Sequence, residues 1–221
     1  MESSHLMLEE LSRAFAFFGN SLMRPMSQTE SLGLDPSFWE AFPAFGSPAL
    51  ATALDELAAW ARDDRGDAER VQAASVEYAR LFIGPPAPAA PPWESFYLAE
   101  NVETGFGDPT FRMRSLLRKA GIVLAGPTNQ YEDHIGVELL WLSYGLQCAA
   151  NSPSARAEEP PNAEGAGPTP TLADLAAFID AHPGRWIDAF EAAVAATGAE
   201  GYHHRLVIAV RALLEQAREL L

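Results

Sequence analysis

From Val71 onward, apolar and small residues fall at Val71, Ala74, Ser75, Tyr78, Leu81 and Phe82, and a second run places Ile135, Leu139, Leu142 and Leu146 at similar steps. Steps of three and four bring side chains to one face of an α-helix, whereas a strand gathers every second residue. A chain ruled by this spacing buries its apolar stripes by packing helix on helix. Segments near residues 5–23, 49–63, 110–120, 171–181, 184–197 and 202–219 read the same way and are rich in the helix formers Ala, Leu, Glu and Arg. No sustained two-residue alternation bounded by hairpin turns competes with them. The fold class is therefore all-α, and 221 residues suffice for one sizeable core, read here as one helical domain over residues 1–221.

Helix starts are marked independently. Asp35-Pro36, Ser47-Pro48 and Asp108-Pro109 each place a side-chain acceptor at a cap position and a proline at the first helical position, where its missing N–H costs nothing. Two stretches interrupt the helices. Gly84 to Trp93, "GPPAPAAPPW", holds too many prolines for a helix or central strand and is expected to run as a stiff, extended connection across the surface. Residues 151–170, low in apolar side chains and rich in Pro, Gly and Glu, read as a flexible linker that divides the chain without dividing the domain. No internal repeat of fixed period is present.

Fifteen Lys and Arg against thirty Asp and Glu give a net charge of -15. A nucleic-acid backbone is thereby an unsuitable partner, and a cationic one, such as an arginine-bearing peptide, is favoured; simple solubility is the plain alternative. Cys148 is the single cysteine, so no internal disulfide or thiolate zinc framework can form, and its apolar helical context places it in the core. The N-terminus has acids ahead of its apolar run and no basic region or small-residue cleavage site, and no run of about 18 apolar residues is present, so a cytoplasmic location is expected.

The chemically suggestive stretch is Asp133-His134 with Glu138 four residues on. A metal site needs three or four ligands, and no His-Glu-x-x-His or Cys-rich partner accompanies these; His203 and His204 are adjacent and point about 100° apart on a helix. Metal and cofactor are therefore expected to be absent. Nucleophilic catalysis lacks a Gly-x-Ser-x-Gly elbow or a base beside Cys148, and the sole lysine, Lys119, follows no phosphate-binding loop, so no catalytic residue is assigned. "GFGDPTF" from Gly105 reads as a turn. Two readings of the stretch stay open. Asp133 caps a helix while His134 and Glu138 satisfy each other; or His134, Glu138, Trp141 and Gly145 line a groove with an acidic mouth and an aromatic floor. Trp93 is either a wall of that groove or an anchor pinning the proline-rich loop, and His182, before Pro183, is read as a cap or packed residue.

Three separated motifs resemble one family. "EYARLFIGPPAPAAPPWESFY" (Glu77 to Tyr97), "QYEDHIGVELLWL" (Gln130 to Leu142) and "FIDAHPGRWIDAF" (Phe178 to Phe190) are similar, in order, to the Tyr-x-x-Leu-Phe-x-Gly-Pro with Pro-Pro-Trp-Glu-Ser-x-Tyr, Asp-His-x-x-x-Glu-Leu and His-x-x-x-Trp-x-x-x-Phe segments of the TorD/DmsD redox-enzyme maturation chaperones. The resemblance implies an all-helical cytoplasmic chaperone, not an enzyme. Its partners would be the twin-arginine leader and apo form of a molybdopterin oxidoreductase catalytic subunit, held for cofactor insertion before export. It carries leader binding onto Asp133, His134, Trp93, Glu94 and Tyr97, to which the groove reading adds Glu138. Where the family has Glu-Pro ahead of Asp-His, this chain has Gln130-Tyr131, one carboxylate fewer and one stacking surface more, which bears on leader choice. Alternatives are a chaperone for a non-exported nitrate reductase or formate dehydrogenase subunit, and a small-substrate hydrolase using Asp133 and His134. The 151–170 linker also permits helix exchange into a homodimer.

Overall fold

The computed structural model describes residues 2–29, 31–98, 106–123, 130–151 and 169–221. These form ten α-helices and no strand among the described residues: α1 (Glu2–Met23), α2 (Pro36–Glu40), α3 (Pro48–Ala61), α4 (Asp67–Tyr78), α5 (Glu94–Leu98), α6 (Asp108–Lys119), α7 (Ile135–Ala150), α8 (Leu172–Ala181), α9 (Pro183–Ala196) and α10 (Tyr202–Leu220). Two single 3₁₀ turns, Met26–Gln28 and Leu32–Leu34, join α1 to α2. Residues 152–168 of the expected linker lie outside the described residues.

Two of the three acceptor-proline starts stand as read. Asp35 accepts from the Ser37 N–H at the head of α2, and Ser47 accepts from the Leu50 N–H at the head of α3. The third is shifted by one residue: α6 begins at Asp108 itself, after Gly107, and the Thr110 hydroxyl accepts from the Gly107 N–H. Thr171 and Asp174 form a reciprocal capping box on α8, with the Thr171 hydroxyl accepting from the Asp174 N–H and the Asp174 carboxylate accepting from the Thr171 N–H.

One apolar cluster joins the helices. Ile135, Leu139, Leu142 and Leu146 of the α7 stripe are wholly buried, and Ala74, Tyr78, Leu81 and Phe82 carry the other stripe into the core. That second stripe does not follow a regular helix to its end. At Ala79–Ile83 the helix widens into a π turn closed by the Gly84 N–H on the Ala79 carbonyl at 2.8 Å. Gly84 then turns the chain at φ 100°, where a Cβ would lie 2.7 Å from the Ala87 carbonyl carbon. Helix α10 packs against α1, α3, α4, α8 and α9, while α1 lies along α7. Cys148, expected in the core, is only half-buried.

The approach of α1 to α7 rests on two glycines. A Cβ on Gly136 would sit 2.5 Å from Met23 Cγ and 2.8 Å from the Gly19 carbonyl oxygen, and one on Gly19 would sit 2.9 Å from Leu140 Cγ. Backbone meets backbone there, so the overlap cannot be relieved by one flexible side chain. Gly136→Ala is expected to lower stability by about 1–3 kcal/mol through overpacking, read as a fall in the urea midpoint.

Candidate peptide-binding site

The proline-rich connection leads from the π turn after α4 into α5 and lies against the start of α7. Its first half is exposed, as expected of a surface crossing, but Ala90, Pro91 and Pro92 are buried. The Ala90 N–H donates to the Leu81 carbonyl at 2.8 Å. Prolines lack a donor but keep an acceptor, and the Pro92 carbonyl accepts from the Ile135 N–H at 2.9 Å. The Glu94 N–H donates in turn to the Asp133 carbonyl at 3.0 Å, so Trp93 and His134 pair antiparallel. These bonds bring Trp93, Glu94, Tyr97, Asp133, His134 and Glu138, expected from two distant motifs, to one junction.

Within the junction the roles differ from those expected. Asp133 does not cap α7. Its carboxylate is wholly buried and accepts from the Ser95 N–H of α5 at 2.9 Å and from the Thr110 hydroxyl of α6 at 2.8 Å. Burial raises its pKa, opposed by the hydrogen bonds from Ser95 and Thr110. The cap of α7 is His134, whose Nδ1 accepts from the Gly136 N–H at 3.0 Å. Complete burial lowers the His134 pKa to about 3, so the ring is neutral and its proton sits on Nε2. His134 and Glu138 do not satisfy each other either. Glu138 Oε2 accepts from Trp186 Nε1 at 3.2 Å. Burial, then the neighbouring Glu94 and Asp133 carboxylates, push its pKa well up.

His182 and Trp186, the His and Trp of the third motif, are not among the expected site residues, although that motif was the available signal. His182 does pack, stacked on Phe178 at 4.7 Å, but its Nδ1 also lies 2.8 Å from Glu94 Oε2. Trp186 stacks on Tyr97 at 5.3 Å. The expected open groove along His134, Glu138, Trp141 and Gly145 is covered: all four are buried, Trp141 beside Phe178 and Gly145 beneath Leu175. Asp133, Glu94, His134 and Glu138 thus offer no surface to a peptide in this conformation.

What the junction does present outward is aromatic. Trp93 and Tyr97 are half-buried, and Phe96, Phe106, Phe111 and Tyr131 are exposed. Tyr131 meets Trp93 at 6.3 Å and Phe106 at 5.2 Å, and Phe106 meets Phe111 at 5.1 Å. Arg114 lies over Phe111 and is gripped by the Glu132 carboxylate at 2.6 and 3.0 Å. A cleft of about 430 Å³ lined by Arg114, Leu117, Ile122, Val123 and Glu132 adjoins this face. Phe106 and Phe111 belong to the "GFGDPTF" stretch read as a mere turn; two phenylalanines flanking it were the available signal. Gly105 lies outside the described residues.

This is an all-α protein whose polar centre sits at a helix junction and whose aromatic face lies beside it. Comparison with known proteins narrows the class. The family described as nitrate reductase delta subunit matches residues 46–192. The chain belongs to this family, that of the TorD/DmsD-type chaperones. It is similar to the Tat proofreading chaperone DmsD of Salmonella typhi, 43% identical over 67 residues, which are 29% of this chain and 32% of the relative. A probable Tat proofreading chaperone DmsD of Haemophilus influenzae is 35% identical over 68 residues, 31% of this chain and 33% of that protein. The matched segment thus spans about a third of the length of each relative.

Asp133→Ala is expected to cost about 2–4 kcal/mol of stability, because it strands a buried N–H and a buried hydroxyl; a urea titration reads the loss. His134 gives a pH signature. Unfolding returns its pKa from about 3 to near 6.5, so the unfolded chain binds the extra proton between those values and stability drains as pH falls through the window. His134→Asn keeps a cap acceptor and removes that contribution. Between pH 6.5 and 5 the wild type should lose about 1.5 kcal/mol more than H134N in paired urea titrations.

Proposed function

We propose that this protein is a cytoplasmic maturation chaperone that binds the arginine-containing leader and apo form of a molybdopterin oxidoreductase catalytic subunit, holding it for cofactor insertion before export. The observation that carries the reading is the face of exposed Phe106, Phe111 and Tyr131 with half-buried Trp93 beside them and Glu132 at its edge, on a chain of net charge -15. A leader is cationic at one end and apolar further on. Its apolar run packs on the rings, and its arginines meet the acidic field and compete with Arg114 for Glu132.

Magnitudes support a moderate, reversible complex. Burying about 200 Å² of apolar leader surface contributes on the order of 5 kcal/mol, and each charged hydrogen bond adds roughly 1.5–3 kcal/mol before the entropy of ordering is subtracted. A dissociation constant near micromolar requires about 8 kcal/mol net, so both halves of the leader are needed. Asp133, Glu94 and Glu138 act in this reading as the scaffold that sets the aromatic face, rather than as arginine receptors.

The family description favours a second client class, a nitrate reductase subunit recognised through its body rather than through an exported leader. Hydrolysis by Asp133 and His134 has no comparable support, since the His134 Nδ1 lone pair is occupied by the Gly136 N–H and the ring is buried. The discriminating experiment titrates a synthetic Arg-Arg leader peptide into the chain by calorimetry. Tyr131→Ala and Phe106→Ala should each weaken binding by about tenfold or more with unchanged helical circular dichroism. Wild-type affinity in both variants, or no leader binding at all, would count against the leader reading and leave the whole-subunit client.

A further inference from the structure

Glu94 of α5, Glu138 of α7 and His182 at the α8–α9 boundary each offer an atom lying within 4.8 Å of the other two. Both glutamates are wholly buried and His182 is 7% exposed, so the imidazole is the one member in touch with solvent. Glu94 Oε2 meets His182 Nδ1, and Glu138 Oε2 accepts from Trp186, yet the second oxygen of each glutamate has no hydrogen-bond partner among the described residues. No Lys or Arg among the described residues pairs with either acid. Two adjacent carboxylates in an apolar interior repel unless a proton or a cation joins them. A proton shared between the two unpartnered oxygens engages the two carboxylates alone. A divalent ion draws on both carboxylates and the imidazole together.

We propose that Glu94, Glu138 and His182 form a binding site for one divalent first-row transition-metal ion, zinc foremost. Imidazole with carboxylate oxygens is a donor set used for such ions, and the absence of thiolate points away from soft monovalent copper. Zinc bonds of roughly 2.0–2.2 Å put ligand atoms about 3.3 Å apart, so small side-chain rotations close the present spacing. The outer contacts that hold ligands in place are already built. Trp186 Nε1 orients Glu138, and Phe178 stacks on the His182 ring. Asp133, whose charge is felt at Glu138, adds to the field that favours a cation. An ion here joins α5 and α7 to the α8–α9 boundary, next to Trp186, on which Tyr97 stacks.

The test uses the full chain, stripped by chelator and titrated separately with zinc chloride and manganese chloride, read by calorimetry, bound-metal analysis and thermal melting. One equivalent of zinc with a raised melting temperature is expected. Glu138→Gln should weaken uptake by about 100-fold or more and abolish the melting shift, while its own metal-free melting temperature equals or exceeds that of the wild type because the buried acid is gone. Glu94→Gln gives the same readout should the first variant fold poorly. No zinc uptake by the wild type, or equal uptake by a folded Glu138→Gln, would overturn the site, the first leaving the pair to share a proton and the second placing the ion elsewhere.

Discussion

The Asp133 carboxylate, buried between three helices, accepts from the Ser95 N–H and the Thr110 hydroxyl, and the geometry of the whole junction depends on it. An acid in an apolar interior is costly unless every oxygen finds a donor, and here one donor comes from α5 and the other from α6. Meeting that need holds the two short helices to the start of α7. The proline-rich connection contributes the Pro92 carbonyl and the antiparallel pairing of Trp93 with His134. The aromatic face outside is then a consequence of the polar bonding inside.

Such an arrangement separates rigidity from recognition. The neutral His134 ring that caps α7 and the doubly bonded Asp133 carboxylate supply order at the junction. The exposed rings of Phe96, Phe106, Phe111 and Tyr131 leave apolar surface open at the same place. Exposed aromatic surface beside a rigid frame suits a ligand that varies in detail, since stacking tolerates more than hydrogen bonding does. Tyr131 lies between Trp93 and Phe106 and so joins the two halves of this face.

Much of the fold was legible because its signals are local. The α7 stripe reads off three- and four-residue spacing and is buried as that spacing requires, and Asp35 and Ser47 cap α2 and α3 as their prolines suggest. The short helix α5 escaped, because five residues after two prolines carry no period of their own. The residues of the site were legible as two motifs, but their roles were not. Glu94 and His182 are 88 positions apart, and no spacing rule connects them. Asp133, too, looks like a cap in sequence, and only its partners in α5 and α6 make it a strut.

The most direct measurement of that strut is hydrogen exchange at the Ser95 amide, whose N–H donates to the buried Asp133 carboxylate. An amide locked in this way opens only with the fold as a whole, so its protection should match that of the most slowly exchanging amides in the core of α7. Exchange at the rate of an exposed turn would show that Asp133 is free of Ser95 in solution, and the junction would then not be the frame described here.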